Sequence, residues 1–436
     1  MSTLRTKLGA LALTAILIFG FAACGSTAVR QHTDSPSPSP SASAGAAALN
    51  YAAAYAKYDP DETAVTVNGT AIPWNEYFYW LQSIISNYTS STGTAPDWSS
   101  MYDDSNTLQQ AILNAVLENI ESYTVLFTHA QAQSITLSAE DLQDLSDQWK
   151  SDVQSYASQN TSAAPTAGLT DDQIFAQQEQ EFTSYLSSVY VQKPLYDKLG
   201  QARTLYQNML TSMFGENASK ISDDDAISWA EDQGYMAAKH ILFLTIDSSG
   251  NALDDATIAQ KKQDAEDTLA TLKATPADQL ETTFDQIMND KSEDTGLSSY
   301  PDGYCFLSSD MQAAFSDAAA ALQPGQMTTD LVETSYGYHI ILRIPLTPDM
   351  VPVNQSTNLR QLAASSQFTS LLQSWEDEST VTFAPDFQNL DLAALFGTPG
   401  GADATPIPSE TPTPSASASP VPSETPSPSV SATPGS

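Results

Sequence analysis

The sequence predicts an α+β protein: a mainly helical part, a smaller mixed unit inserted within it, and Pro/Ser-rich ends. Three observations carry this. Between residues 74 and 233, apolar side chains recur at the helical period over long stretches. Near residue 235 the pattern changes to short β-prone runs separated by amphipathic helices. Residues 34–48 and 401–436 are dominated by Pro, Ser, Ala and Thr, and together hold 12 of the 25 prolines. Such segments cannot bury enough apolar surface to offset their ordering entropy, and are expected to stay extended and disordered.

Composition narrows the function. The 436 residues include 16 Lys+Arg against 52 Asp+Glu, a formal charge of −36. That balance excludes a nucleic-acid partner, because phosphate binding needs clustered cations. With 16% charged and 41% hydrophobic residues, the chain can build cores and is not a charge-dominated coil. Cys24 and Cys305 are its only cysteines, which excludes a disulfide framework and a Cys-rich zinc site. No metal and no cofactor is implied. Histidine chemistry has four candidates, His32, His129, His240 and His339.

At the N-terminus, Arg5 and Lys7 precede the apolar run Leu8 to Ala23, the layout of a secretory signal. It ends in Phe21-Ala22-Ala23-Cys24-Gly25, which resembles a bacterial lipobox with Phe21 where Leu is usual. The resemblance implies cleavage before Cys24 and lipidation of Cys24. Residues 24–58 are then anchor and linker, and the mature chain sits at the external face of the cell membrane.

The helical part opens on a hairpin. Ala64 to Ile72 places Asn68-Gly69 between β-prone runs. A helix follows from Pro73, with Trp74, Tyr77, Phe78, Trp80, Leu81, Ile84 and Ile85 on one stripe, the pattern of a core face. Further helices are expected at about 105–133, 138–158, 170–213 and 222–233, with capping sequences at Ser138-Ala139-Glu140-Asp141 and Thr170-Asp171-Asp172. In the mixed unit, Ala237 to Leu244 reads as a strand. Amphipathic helices are expected around 256–272 and 278–289, then a short helix carrying Met311 and Phe315. Strands are expected at Thr328 to Glu333 and Tyr338 to Ile344, turned at Tyr336-Gly337. After residue 350 the chain returns to a helix, Asn358 to Trp375, and a short strand, Val381-Thr382-Phe383.

Separated motifs in the mixed unit resemble a known family. They are Lys239-His240-Ile241-Leu242, Lys291-Ser292-Glu293-Asp294, Met311 with Phe315, Leu322-Gln323-Pro324-Gly325, and Tyr336-Gly337-Tyr338-His339-Ile340. Their order and spacing look like a parvulin-type peptidyl-prolyl cis-trans isomerase. The resemblance implies a four-stranded antiparallel sheet wrapped by helices, with His240 and His339 meeting on adjacent central strands. It implies catalytic roles for His240, Asp294 and His339. Phe306, Met311, Gln312 and Phe315 fall on the proline pocket, and Thr334 on the hydrogen-bond network of the cleft. The family's Gly-Gly-Asp-Leu-Gly stretch is here Tyr300-Pro301-Asp302-Gly303-Tyr304, so Gly303 stands where a pocket-lining Leu is usual. No basic cluster follows the first strand, which argues against phosphorylated substrates. Cys305, beside Phe306, reads as a buried thiol.

The order of parts, opening at Val65-Thr66-Val67-Asn68-Gly69, resembles foldase lipoproteins of the PrsA type and SurA-type chaperones. The implied division is signal 1–23, anchor and linker 24–58, helical chaperone domain 59–234, isomerase domain 235–347, a completing segment 350–396, and tail 397–436. The implied partners are unfolded secreted polypeptides with X-Pro bonds, and a membrane through Cys24. One alternative is a parvulin-fold holdase that binds without much turnover. A solute-binding lipoprotein fits less well, since two lobes of alternating β and α units are missing from the N-terminal half.

Overall fold

The structure is a computed structural model that describes residues 49–160 and 168–397. The signal, Cys24, His32, the first Pro/Ser-rich segment and the tail from residue 398 lie outside the described residues.

In chain order the helices and strands begin with α1 (Tyr51–Tyr55), β1 (Thr63–Val67) and β2 (Thr70–Pro73). The turn between β1 and β2 puts Asn68 and Gly69 at φ 51° and 82°, as a two-residue hairpin turn of this hand requires. α2 (Trp74–Thr92) ends on Gly93 in the left-handed conformation. α3 (Leu108–Ala132), α4 (Ala139–Gln159) and α5 (Asp171–Ser188) each start on a capping box, at Thr107/Gln110, Ser138/Asp141 and Thr170/Gln173. The single helix expected over 170–213 is two, because Tyr190 takes φ 61° and breaks the ladder. α6 (Lys193–Phe214) then restarts with Pro194 in its first turn, where a missing N–H costs nothing.

The chain continues through α7 (Asp223–Asp232), β3 (Met236–Leu244), α8 (Asp255–Ala274), α9 (Leu280–Lys291), β4 (Tyr304–Phe306), α10 (Ala313–Ala320), β5 (Val332–Glu333) and β6 (Gly337–Ile344). It closes with α11 (Leu359–Asp377), β7 (Val381–Phe383) and α12 (Leu392–Phe396). The strand expected over 328–333 shrinks to β5 and an isolated Met327–Leu342 bridge. There the Thr328 hydroxyl accepts the Ile341 N–H at 3.1 Å, standing in for a ladder carbonyl. Met311 also lies outside α10, in extended backbone just before it.

Two compact units result. One joins residues 49–209 to residues 369–397. Its sheet runs β2-β1-β7, all antiparallel, with Val67 opposite Val381. The α2 stripe is core: Trp74, Phe78, Leu81, Ile84 and Ile85 are fully buried. Trp74 and Phe78 pack rings with Tyr55, Tyr58, Phe387 and Phe396.

The seam between α3 and the end of α11 in this unit is acidic. Buried Glu376 accepts the Ser122 hydroxyl, and Ser379 donates to buried Glu121. Burial first, then the nearby charges of Glu121, Glu118 and Asp377, push the Glu376 carboxyl up to about 7, against the Ser122 hydrogen bond. An unfolded Glu ionises near 4.5. Between those values the folded state therefore holds the extra proton, and stability falls as pH rises through the window. Glu376→Gln should flatten the decline in Tm between pH 5 and pH 8. An unchanged slope in that variant would refute the assignment.

The other unit covers residues 210–368. Its sheet runs β4-β3-β6-β5, all antiparallel. β3 is buried on both faces, so alternate residues serve different cores. Ala237, Ile241 and Phe243 join Ile340, Leu342 and Ile344 against Leu269, Leu272, Phe284 and Met288 of α8 and α9. Met236, Ala238 and Ile341 join Phe306, Phe315 and Ala319 on the α10 side. Lys239, on the first face, is paired with Glu281 at 3.0 Å and Asp285 at 2.8 Å. Cys305 is buried, and burial pushes its thiol up to about 12, leaving it unreactive.

Candidate active site

The register of β3 and β6 makes the site. His240 lies opposite Ile341 and Leu242 opposite His339, so the two histidines are diagonal neighbours on the α10 face. Their Nδ1 atoms are 3.1 Å apart and both rings are buried. His240 Nε2 stands 3.1 Å from Asp294 Oδ2, and His339 Nε2 stands 2.8 Å from Thr334 Oγ1.

Asp294 is delivered by the loop after α9. β4 covers β3 only at Met236–Ala238, which leaves the far end of that edge free. The loop takes it: Glu293 N–H donates to Leu242 O at 2.8 Å, and Leu242 N–H to Ser292 Oγ at 3.1 Å. Leu244 N–H donates to Glu293 Oε2 at 2.8 Å, and Glu293 also pairs with Lys261. Glu293 thus fixes the loop.

Hydrogen-bond logic orders the protons. Asp294 Oδ1 accepts Gly296 N–H at 3.0 Å, and Oδ2 accepts the Tyr304 hydroxyl at 2.6 Å. Burial works to raise the Asp294 carboxyl. The hydrogen bond and charge of His240, then Tyr304 and Gly296, outweigh it and hold the carboxyl down at about 2. The carboxylate is therefore an acceptor, and His240 Nε2 is the donor to it. Burial, then the charge of His240, hold the His339 imidazole down at about 3, so His339 is neutral. When the His240 ring carries a single proton, on Nε2, one arrangement satisfies every contact. Tyr336 N–H donates to Thr334 Oγ1 at 3.1 Å, and the Thr334 hydroxyl donates to His339 Nε2. His339 Nδ1–H then donates to His240 Nδ1, and His240 Nε2–H to Asp294.

An apolar wall adjoins this chain. Phe315 meets both imidazoles edge-on, with centroids 5.2 Å from His240 and 5.5 Å from His339. Phe306 packs on Phe315 at 5.7 Å, and partly buried Met311 and Tyr304 join the same cluster. Gln312 occupies the N-cap position of α10, and its side chain is hydrogen-bonded to Ser335 and not to either histidine. The structure thus gathers His240, Asp294, His339, Thr334, Phe306, Phe315 and Met311, with Gln312 peripheral.

Gly303 has a physical reason. Its φ is 102°, and a Cβ there would meet Ala238 O, Ile344 Cδ1 and Lys239 Cγ at 3.0 Å each. This backbone holds no leucine at that position. Tyr304, which sequence reasoning passed over, turns its ring toward His240 at 5.5 Å.

Residues 240–344 match the family model described as the rotamase, PPIC-type PPIASE domain. Cbf2 of two Campylobacter jejuni strains, named as a candidate peptidyl-prolyl cis-trans isomerase, is 29% identical over 161 residues. That alignment takes in 34% of this chain and 52% of Cbf2, so the chain spans about half the length of these curated relatives. Among solved structures, PrsA from Bacillus subtilis is 16% identical, covering 73% of this chain and 92% of its own at a TM-score of 0.21. The foldase protein PrsA from Lactococcus lactis is 14% identical, covering 77% and 98% at a TM-score of 0.26. The family match spans both histidines, Asp294 and the pocket wall that the register brings together: residues 240–344 of this chain are a rotamase domain of the PPIC type.

Proposed function

We propose that this chain is an extracytoplasmic peptidyl-prolyl cis-trans isomerase and foldase that acts on unfolded secreted polypeptides. The observation that carries the reading is the hydrogen-bonded run Thr334–His339–His240–Asp294 beside an apolar wall of Phe306, Met311 and Phe315. Rotation about an X-Pro bond has a barrier of about 18–20 kcal/mol, because it breaks amide resonance. Planarity is favoured by negative charge on the carbonyl oxygen, and twisting returns that density to nitrogen. A fixed carboxylate near the oxygen disfavours the planar form. An apolar pocket removes the water that stabilises it. In this reading Phe306, Met311 and Phe315 hold the proline ring, Asp294 supplies the charge, and His240, His339 and Thr334 orient Asp294. No covalent step is needed. The helical unit would hold unfolded clients, and the division at residues 59–234, 235–347 and 350–396 separates holding from isomerisation.

A protease-coupled proline-peptide assay on the full chain tests the activity. Acceleration over the uncatalysed exchange, which takes ~10–100 s, is expected. Client binding without acceleration would replace this reading by the holdase one. Lipidation at Cys24 would set the location, on the external membrane face. A clickable fatty acid should label wild type and not Cys24→Ala; an unlabelled wild type would remove the anchor from the proposal.

A further inference from the structure

Tyr304 is not among the residues assigned a role above, yet its hydroxyl makes the shortest contact to the Asp294 carboxylate, 2.6 Å against 3.1 Å for His240. Both donors share Oδ2, so the charge left for the imidazole depends on the phenol. The reach is built for. A Cβ on Gly296 would collide with the Tyr304 hydroxyl, so the loop carries no side chain where the phenol passes. Tyr300 packs on the Tyr304 ring at 4.6 Å and backs it from outside. Gly303, through its positive φ, places Tyr304 at the start of β4, opposite Ala238 and two residues along β3 from His240.

We propose that Tyr304 is a positioning residue: its hydroxyl clamps Asp294 and limits how strongly the carboxylate draws a proton onto the His240–His339 pair. The inference rests on the isomerase reading for its kinetic consequence, but not for its effect on the histidines. The groups facing Asp294 are His240 from β3, Tyr304 from β4 and Gly296 N–H from its own loop, with His339 on β6 and Tyr300 one contact further out. Burial, then the bond to Asp294, push the Tyr304 phenol far above its ordinary range, so it remains a donor throughout the working pH range. Without that donor, the anion would interact more fully with the imidazole and favour its protonated form. Protonation reverses the ordered hydrogen bonds, because His240 Nδ1 becomes a donor and His339 must turn its proton toward Thr334.

The test is Tyr304→Phe in the full chain, which keeps the ring and removes the hydroxyl. The ring ¹⁵N shifts of the two histidines are followed against pH, with kcat/KM on a proline peptide measured in parallel. The titration of the pair should move up by about half a pH unit or more. The acid limb of kcat/KM should move with it, and activity near neutrality should fall by about tenfold. Gly296→Ala, which displaces the hydroxyl while leaving Tyr304 in place, should reproduce the shift. Adding it to Tyr304→Phe should change little further, since with the hydroxyl gone its Cβ would meet the ring carbon at 3.3 Å and Asp294 Oδ1 at 3.4 Å, without the 2.2 Å collision. An unmoved histidine titration in both variants overturns the clamp. A moved titration in a protein without isomerase activity would uphold the clamp and overturn the isomerase reading.

Discussion

Replacing His240 with alanine should lower kcat/KM for proline-peptide isomerisation by about 100-fold, with far-UV helicity unchanged. The magnitude is that of removing one preorganised polar group from a water-excluded site. His240 is central in the hydrogen-bonded run: it donates to Asp294 and accepts from His339. Its loss removes one of the two side-chain donors to Asp294 Oδ2 and leaves the buried His339 Nδ1–H without its partner, at a cost of about 1–3 kcal/mol in stability. His339→Ala should show a smaller loss of activity, because its contact with Asp294 is indirect. The double variant should lose little more than His240→Ala alone, since the two act as one unit. Additive losses, or a His240→Ala protein as active as wild type, would exclude the run as the functional element. Asp294→Ala should match His240→Ala if the carboxylate is the group that faces the carbonyl.

Phe396→Ala should destabilise the helical unit by about 3–5 kcal/mol, the cost of emptying a large aromatic site. Phe396 is 3% exposed, and its ring meets Tyr51 at 5.2 Å, Trp98 at 6.0 Å and Phe78 at 6.2 Å. Those partners come from the beginning of the described chain, so the final helix closes a core begun more than 300 residues earlier. Ending the chain at residue 378 removes more: the edge strand β7 and buried Phe387, Leu390, Leu392, Leu395 and Phe396. At roughly 1.5–3 kcal/mol for each buried side chain, that loss matches the whole stability of an ordinary domain, about 5–15 kcal/mol. The truncated chain should lose its cooperative helical melting transition. An unchanged melt would show that the final segment is dispensable.

Much of this protein can be read residue by residue. The Asn68-Gly69 turn, the Ser138 and Thr170 caps and the α2 stripe each declare themselves locally, because backbone sterics and side-chain periodicity act over a few residues. The break before α6 has one local signal, Pro194, which fits a first helical turn and not a helix interior, but the left-handed Tyr190 itself costs energy that only the surrounding packing repays. The role of Glu293 is hidden from sequence for a related reason. Its carboxylate is held by Leu244 N–H and Lys261, partners far from it in sequence.

The sequence by itself determined the α+β class, the order of the parts and the identity of the histidines, because local propensity and motif spacing are written in the chain. Only the tertiary structure decided which atoms meet. The β3–β6 register, the free edge that receives Ser292 and Glu293, and the opening at Gly296 bring His240, His339, Asp294 and Tyr304 within hydrogen-bonding distance. Those contacts span 10 to 99 residues of chain. Their geometry follows from packing, which no local pattern encodes.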